Sequence, residues 1–148
     1  EAGKAVQAIA VGDLLGPGAR TIVAGTVEGD LVALPPDGPR RVLGRVPGPV
    51  EHLSLADADG DGRPDLLVGT GTSSEGGPVG ELLLVRADGS TAWRAGGSGR
   101  VTGLTAADLD LDGRVEIVSG DGTGFLTVRR LPGARPSRPE APANETGR

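Results

Sequence analysis

Residues 57–69, DADGDGRPDLLVG, set four carboxylates within nine positions. Asp57, Asp59, Asp61 and Asp65 stand at loop positions 1, 3, 5 and 9, and Gly62 stands at position 6. A hard divalent cation takes about six to eight oxygen ligands, and alternate side chains around a sharp turn supply them at one point. Glycine allows that turn, and the backbone carbonyl of Arg63, at position 7, fills the remaining gap. The pattern returns at residues 108–120, DLDLDGRVEIVSG, with acids at Asp108, Asp110, Asp112 and Glu116, the turn at Gly113 and a carbonyl from Arg114. Four like charges so close repel one another unless a cation neutralises them. Calcium, one ion per loop, is the expected partner, in a structural rather than a catalytic role.

The strands that must hold these loops are legible around them. An EF-hand would carry a bidentate Glu at position 12 and continue into a helix. Here position 12 is Val68 in one copy and Ser119 in the other, and short β-prone runs ending in glycine follow the acids. Pro64 also disfavours helix at the residue before it. Each loop therefore joins two strands.

The loops belong to a longer repeat. A shift of 44 residues lays Val6, Ile9, Val11 and Asp13 on Val50, Leu53, Leu55 and Asp57. A further shift of 51 lays those on Val101, Leu104, Ala106 and Asp108. Each unit opens with a strand of alternating apolar residues that runs into the loop. Second strands are expected at 21–26, 65–70 and 116–120, and third strands on the apolar residues 31–34, 82–85 and 125–128. Turn signals at 36–38 and 87–89 lead to fourth strands near 40–45 and 91–95. Four strands in such a period is the size of one β-propeller blade. The first unit keeps the strands without the site, because positions 3, 5 and 9 after Asp13 are Leu15, Pro17 and Thr21.

The expected fold is all-β: three propeller-type blades, at about 1–45, 46–97 and 98–131, making a partial propeller. The third unit lacks a convincing fourth strand, and residues 1–5 are expected to complete it. Residues 132–148 are rich in Pro, Arg and small polar residues and read as a disordered tail or linker. Glycine (27) and proline (12) fit a turn-dense β protein. The net charge of −5, with acids concentrated in two loops, argues against a nucleic-acid partner. There is no cysteine to form disulfides, thiolate metal sites or a nucleophile. No apolar run reaches the roughly 18–20 residues of a membrane span. The opening Glu1-Ala2-Gly3-Lys4 is neither a signal peptide nor an initiator methionine, so a piece of something longer is expected.

These residues resemble the FG-GAP/VCBS-type repeats of integrin α-subunit propellers and of many bacterial surface and secreted proteins. The family pattern, D-x-D-x-D-G-x-x-D followed by a strand and a glycine, is complete at 57–69. It carries Glu at position 9 and Leu111 at position 4 in 108–120, and is degenerate at 13–25. The Phe-Gly ahead of the loop and the Ala-Pro after the glycine are missing, which places the likeness nearer the VCBS branch. The resemblance implies a propeller of about seven blades, calcium in the hairpin loops of one face, and partner binding through the loops joining second to third strands. Those loops are 27–29, 71–80 and 121–124, the middle one with Ser73, Ser74 and Glu75 at its tip. Three blades do not close a ring, so the remaining blades of a longer chain, or self-association, are expected.

The expected function is non-catalytic: a calcium-stabilised segment for extracellular adhesion or protein or glycan recognition, at the cell surface, outside the cell or in the periplasm. Weak sites of extracellular modules, with dissociation constants of roughly 10⁻⁴–10⁻³ M, fill outside the cell and stay empty in a cytosol. The alternatives are the scaffold of a secreted carbohydrate-active enzyme and a structural spacer. Against an enzyme, the chain has no tyrosine or cysteine and a single histidine, His52, and Glu28, Glu51, Glu75 and Glu81 form no obvious pair. His52 is expected packed or half-exposed, and Trp93 and Phe125 are expected to pack.

Overall fold

The computed structural model describes residues 4–71, 79–96 and 99–131. They form eleven strands in three antiparallel sheets, with no helix. The first sheet runs β1 (Val6–Gly12), β2 (Thr21–Thr26), β3 (Asp30–Leu34) and β4 (Arg41–Arg45), each strand paired with the next. The second repeats this order with β5 (Val50–Ala56), β6 (Asp65–Thr70), β7 (Glu81–Val85) and β8 (Thr91–Gly96). The third has three strands, β9 (Val101–Ala107), β10 (Glu116–Asp121) and β11 (Leu126–Arg129). The expected tail, and the tip residues Ser73, Ser74 and Glu75, lie outside the described residues.

Burial explains why the strands read differently. All six residues of β6 are buried, as in a strand covered on both faces. β8, on the outer edge, alternates exposed and half-buried residues. The sheets stack face to face, with the first strand of each against the first strand of the next. One core lies between sheets one and two, where Ala8, Val23, Leu31 and Ala33 meet Leu66, Val68, Leu83 and Val85. A second lies between sheets two and three, where Leu67 and Leu84 meet Ile117, with Trp93 and Leu104 packed beside them.

Each seam is keyed by a glycine at the same repeat position. A β-carbon on Gly69 would stand 2.6 Å from Val101 Cγ1, and one on Gly25 would stand still closer to Val50 Cγ1. The second strand of each sheet thus leaves a notch for the first valine of the next.

Two expectations need correction. Residues 4 and 5 belong to the first sheet, not the third. Ala5 O accepts from Val27 N (3.0 Å), and Lys4 pairs with Glu28 and with Asp30 (2.8 Å). The same bond recurs from Gly71 N to Pro49 O and from Gly122 N to Arg100 O, so it is how each blade begins. Phe125 is 68% exposed and packs in no core: it lies on the side of Thr127 and Arg129 and lines with them, Leu82 and Gly96 an open cleft that no described residue fills.

Candidate metal centre

Both acidic loops connect the first and second strands of their sheets, β5 to β6 and β9 to β10. Their form is set by side chain-to-backbone bonds. Gly62 N donates to Asp57 Oδ2 (3.0 Å), Gly113 N to Asp108 Oδ2 (2.9 Å) and Gly18 N to Asp13 Oδ2 (2.9 Å). The position-1 aspartate therefore shapes the turn in all three units, even where the other acids are gone. Asp61 N donates to Asp59 Oδ1, and Arg63 N to Asp61 Oδ1. Gly60 and Gly62 sit at φ 75° and 87°. In the third unit Leu111 takes the place of Gly60 at φ 62°, a left-handed backbone that disfavours a leucine.

In the first site Asp57, Asp59 and Asp61 each bring a carboxylate oxygen within 4.8 Å of the other two. Asp65, at the start of β6, is 3% exposed. Burial, and then the charges of Asp59 and Asp61, push its carboxyl up from 3.8 to about 6, while the amides of Ala58 and Asp59 hydrogen-bond to it. Asp57 Oδ1 and Asp65 Oδ2 are buried with no hydrogen-bond partner. Buried, partnerless carboxylate oxygens are costly, and coordination to a cation removes that cost; Asp65, though, stands outside the group formed by Asp57, Asp59 and Asp61. On this observation the residues present fit a divalent metal.

In the second site the grouped acids are Asp108, Asp110 and Glu116, and Glu116 is buried. Asp112 is not in that group; its carboxylate accepts from Arg114 N (2.9 Å) and from Arg130 Nη1 (3.1 Å). Arg130 reaches across to Asp110 Oδ2 (2.8 Å) and Glu116 Oε1 as well. Its guanidinium is held well above its ordinary value by Glu116 and Asp110, and Asp110 is in turn lowered by Arg130. The first site has a smaller counterpart: Arg86 Nη2 donates to Asp59 Oδ2 (2.8 Å).

Sequence reasoning missed both arginines. They hold one repeat position, directly after the third strand, since Leu66 pairs with Val85 and Ile117 with Arg129. The first unit, whose loop has lost its acids, has Pro35 there. That correlation of arginine with acids was readable from the repeats. For Arg63 and Arg114 the structure records amide bonds to the aspartate two residues earlier.

Glu28, Glu51 and Glu81 are also placed. Glu28 lies with Lys4 and Arg45, Glu51 accepts from Gln7 and Arg100, and Glu81 accepts from Arg94 (2.9 Å). His52 is half-buried on β5.

Antiparallel four-stranded meanders stacked face to face, with first strands side by side, are β-propeller blades. The described residues form a partial propeller of three such blades, the third with three strands. Residues 57–119, which bracket both acidic loops, match the family of FG-GAP-like repeats, as their motif led us to expect. Among solved structures the chain is similar to BBS1N, in the crystal structure of BBS1N in complex with ARL6DN, soaked with lead. The identity is 16% and the TM-score 0.49; the match covers 86% of this chain and 38% of that one. No curated protein matches.

Proposed function

We propose that this chain is a non-catalytic, calcium-binding β-propeller segment serving extracellular adhesion or protein or glycan recognition. The observation that carries the calcium reading is the pair of buried, partnerless oxygens, Asp57 Oδ1 and Asp65 Oδ2, beside the grouped carboxylates of Asp57, Asp59 and Asp61. Several carboxylates with a backbone carbonyl suit calcium better than magnesium, which demands a stricter octahedron and keeps its waters. Asp57, Asp59, Asp61, Asp65 and the Arg63 carbonyl would hold one ion. Asp108, Asp110, Asp112, Glu116 and the Arg114 carbonyl would hold the other once Arg130 withdraws. The bound ion supplies charge neutralisation and rigidity to the hairpin, while the chain's own glycine turns and amide bonds shape the loop before any ion arrives.

The second-to-third-strand loops are the recognition surface in this reading, and millimolar extracellular calcium keeps the turns filled. Asp59→Ala and Asp110→Ala, titrated with calcium by calorimetry, test the ligand sets: each variant loses one ion. A variant that still binds two ions with wild-type affinity refutes the assignment. Binding of the labelled chain to arrayed glycans, with and without a chelator, tests the recognition role; no calcium-dependent signal on any glycan or extracellular protein surface refutes it.

A further inference from the structure

Over the first three strands of each blade, the two end faces of the stack repeat the two faces joined at each internal seam. At those seams Val50, Leu53, Leu55 and Leu66 of the second blade, and Val101, Leu104, Ala106 and Ile117 of the third, are buried or packed against a core. The corresponding residues of the first blade are Val6, Ile9, Val11 and Ile22, and they are 44–62% exposed. On the other side, Leu31 and Ala33, and likewise Leu82 and Leu84, are buried. Their counterparts in the third blade, by register with Gly120 and Val118, are Leu126 and Val128, which are 74% and 52% exposed.

The notch is present too. Gly120 stands where Gly25 and Gly69 receive the valine of the next blade. Its would-be β-carbon meets only Thr102 Oγ1, at 3.6 Å, and Phe125 O. Val6 stands where Val50 and Val101 enter those notches.

We infer that the β9–β11 face of one copy docks on the β1–β2 face of a second copy, Val6 entering the notch at Gly120, so that two copies close a ring of six blades. Continuity with the two internal seams argues for this occupant: the same residue positions, the same notch and the same apolar edge are already joined twice within the chain. Residues 132–148 are a poor occupant, since they contain no Val, Ile, Leu or Phe to fill the notch. Head-to-tail contacts give open fibres unless the rotation closes, and six blades lie within the range of about four to eight in which propellers close. Closure also removes two exposed apolar sheet faces, a hazard for an isolated stack. The inference stands on the seams alone and is independent of calcium.

Sedimentation velocity of the full chain over a wide concentration series tests it. The expected mass is twice 14.7 kDa. Gly120→Leu blocks the notch with little to strike inside its own chain, and Ile9→Glu charges the opposite face at an exposed site; each, checked for folding by circular dichroism, returns the mass to one copy. Mixing the two variants restores part of the association, because one intact seam remains between them. A wild-type chain of single mass overturns the inference. So does a doubled mass that both variants retain, a ladder of larger species, or an association that depends on residues 132–148 and ignores Gly120→Leu.

Discussion

Replacing Gly69 by valine measures how tightly the blades are keyed. The new β-carbon would lie 2.6 Å from Val101 Cγ1 and 3.0 Å from Val101 Cβ, with Leu104 Cδ2 at 3.5 Å. Apolar carbons rest at roughly 3.5–4.0 Å, so the seam must open by about 1 Å before the two added methyls are counted. Neither side can retreat freely. Gly69 is paired to His52 and to Leu82, and Val101 to Asp121, within their own sheets. Overpacking of this kind costs about 1–3 kcal/mol, and a backbone-pinned site falls at the upper end. For a chain of 148 residues a loss of about 3 kcal/mol lowers melting by on the order of 10 °C. Thermal melting followed by circular dichroism reads it directly, at a protein concentration where the chain is a single copy. Gly120→Val is the internal control at the same repeat position, and there valine costs little because the nearest atom is 3.6 Å away. The swap Gly69→Val with Val101→Gly moves the volume across the seam and recovers most of the loss. Unchanged melting of Gly69→Val, or an equal loss in both single variants, would refute the keyed-seam argument.

Two further outcomes follow from the loops. Arg130→Gln frees the carboxylates of Asp110, Asp112 and Glu116 from their internal cation. Calcium affinity at the second site then rises on the order of tenfold while the first site is unchanged, as calorimetry would resolve; no change at either site contradicts the competition. Asp65 gives a pH dependence. Its carboxyl rises from 3.8 to about 6 on folding, so the folded state holds the proton more tightly. In chelator that stabilisation is complete below pH 3.8 and is lost as pH climbs through about 6, a fall of at most about 3 kcal/mol and less where solvent screens the loop. In calcium the ion replaces the proton and the fall disappears; denaturant titrations that are parallel in calcium and in chelator across this range would count against the site.

Much of the fold was legible because each blade obeys one pattern. The central strands are continuous apolar runs, the edges alternate, and glycine or Asp-Gly marks the turns, so the observed strands fall within a residue or two of those read from the repeats. What misled was the assumption that every apolar residue finds a cover. Leu126 and Val128 of β11 have the sequence of an inner face, yet coverage depends on a neighbouring sheet rather than on the strand itself. Residues 4 and 5 were misplaced for a related reason: a bond such as Val27 N to Ala5 O leaves no mark in local sequence, only in the repeat register. The acids of the candidate site were visible from spacing. Arg86 and Arg130 were not, since an arginine ending a strand reads as a solvated charge until the fold folds that end back over the loop.

Calorimetric titration of the wild-type chain with calcium, paired with melting in calcium and in chelator, tests the central claim most directly. Two unequal sites are expected, the tighter one at Asp57, Asp59, Asp61 and Asp65, with a raised melting temperature in calcium. No heat of binding, together with identical melting in calcium and chelator, would mean that these loops are plain acidic turns held by their own amides and arginines.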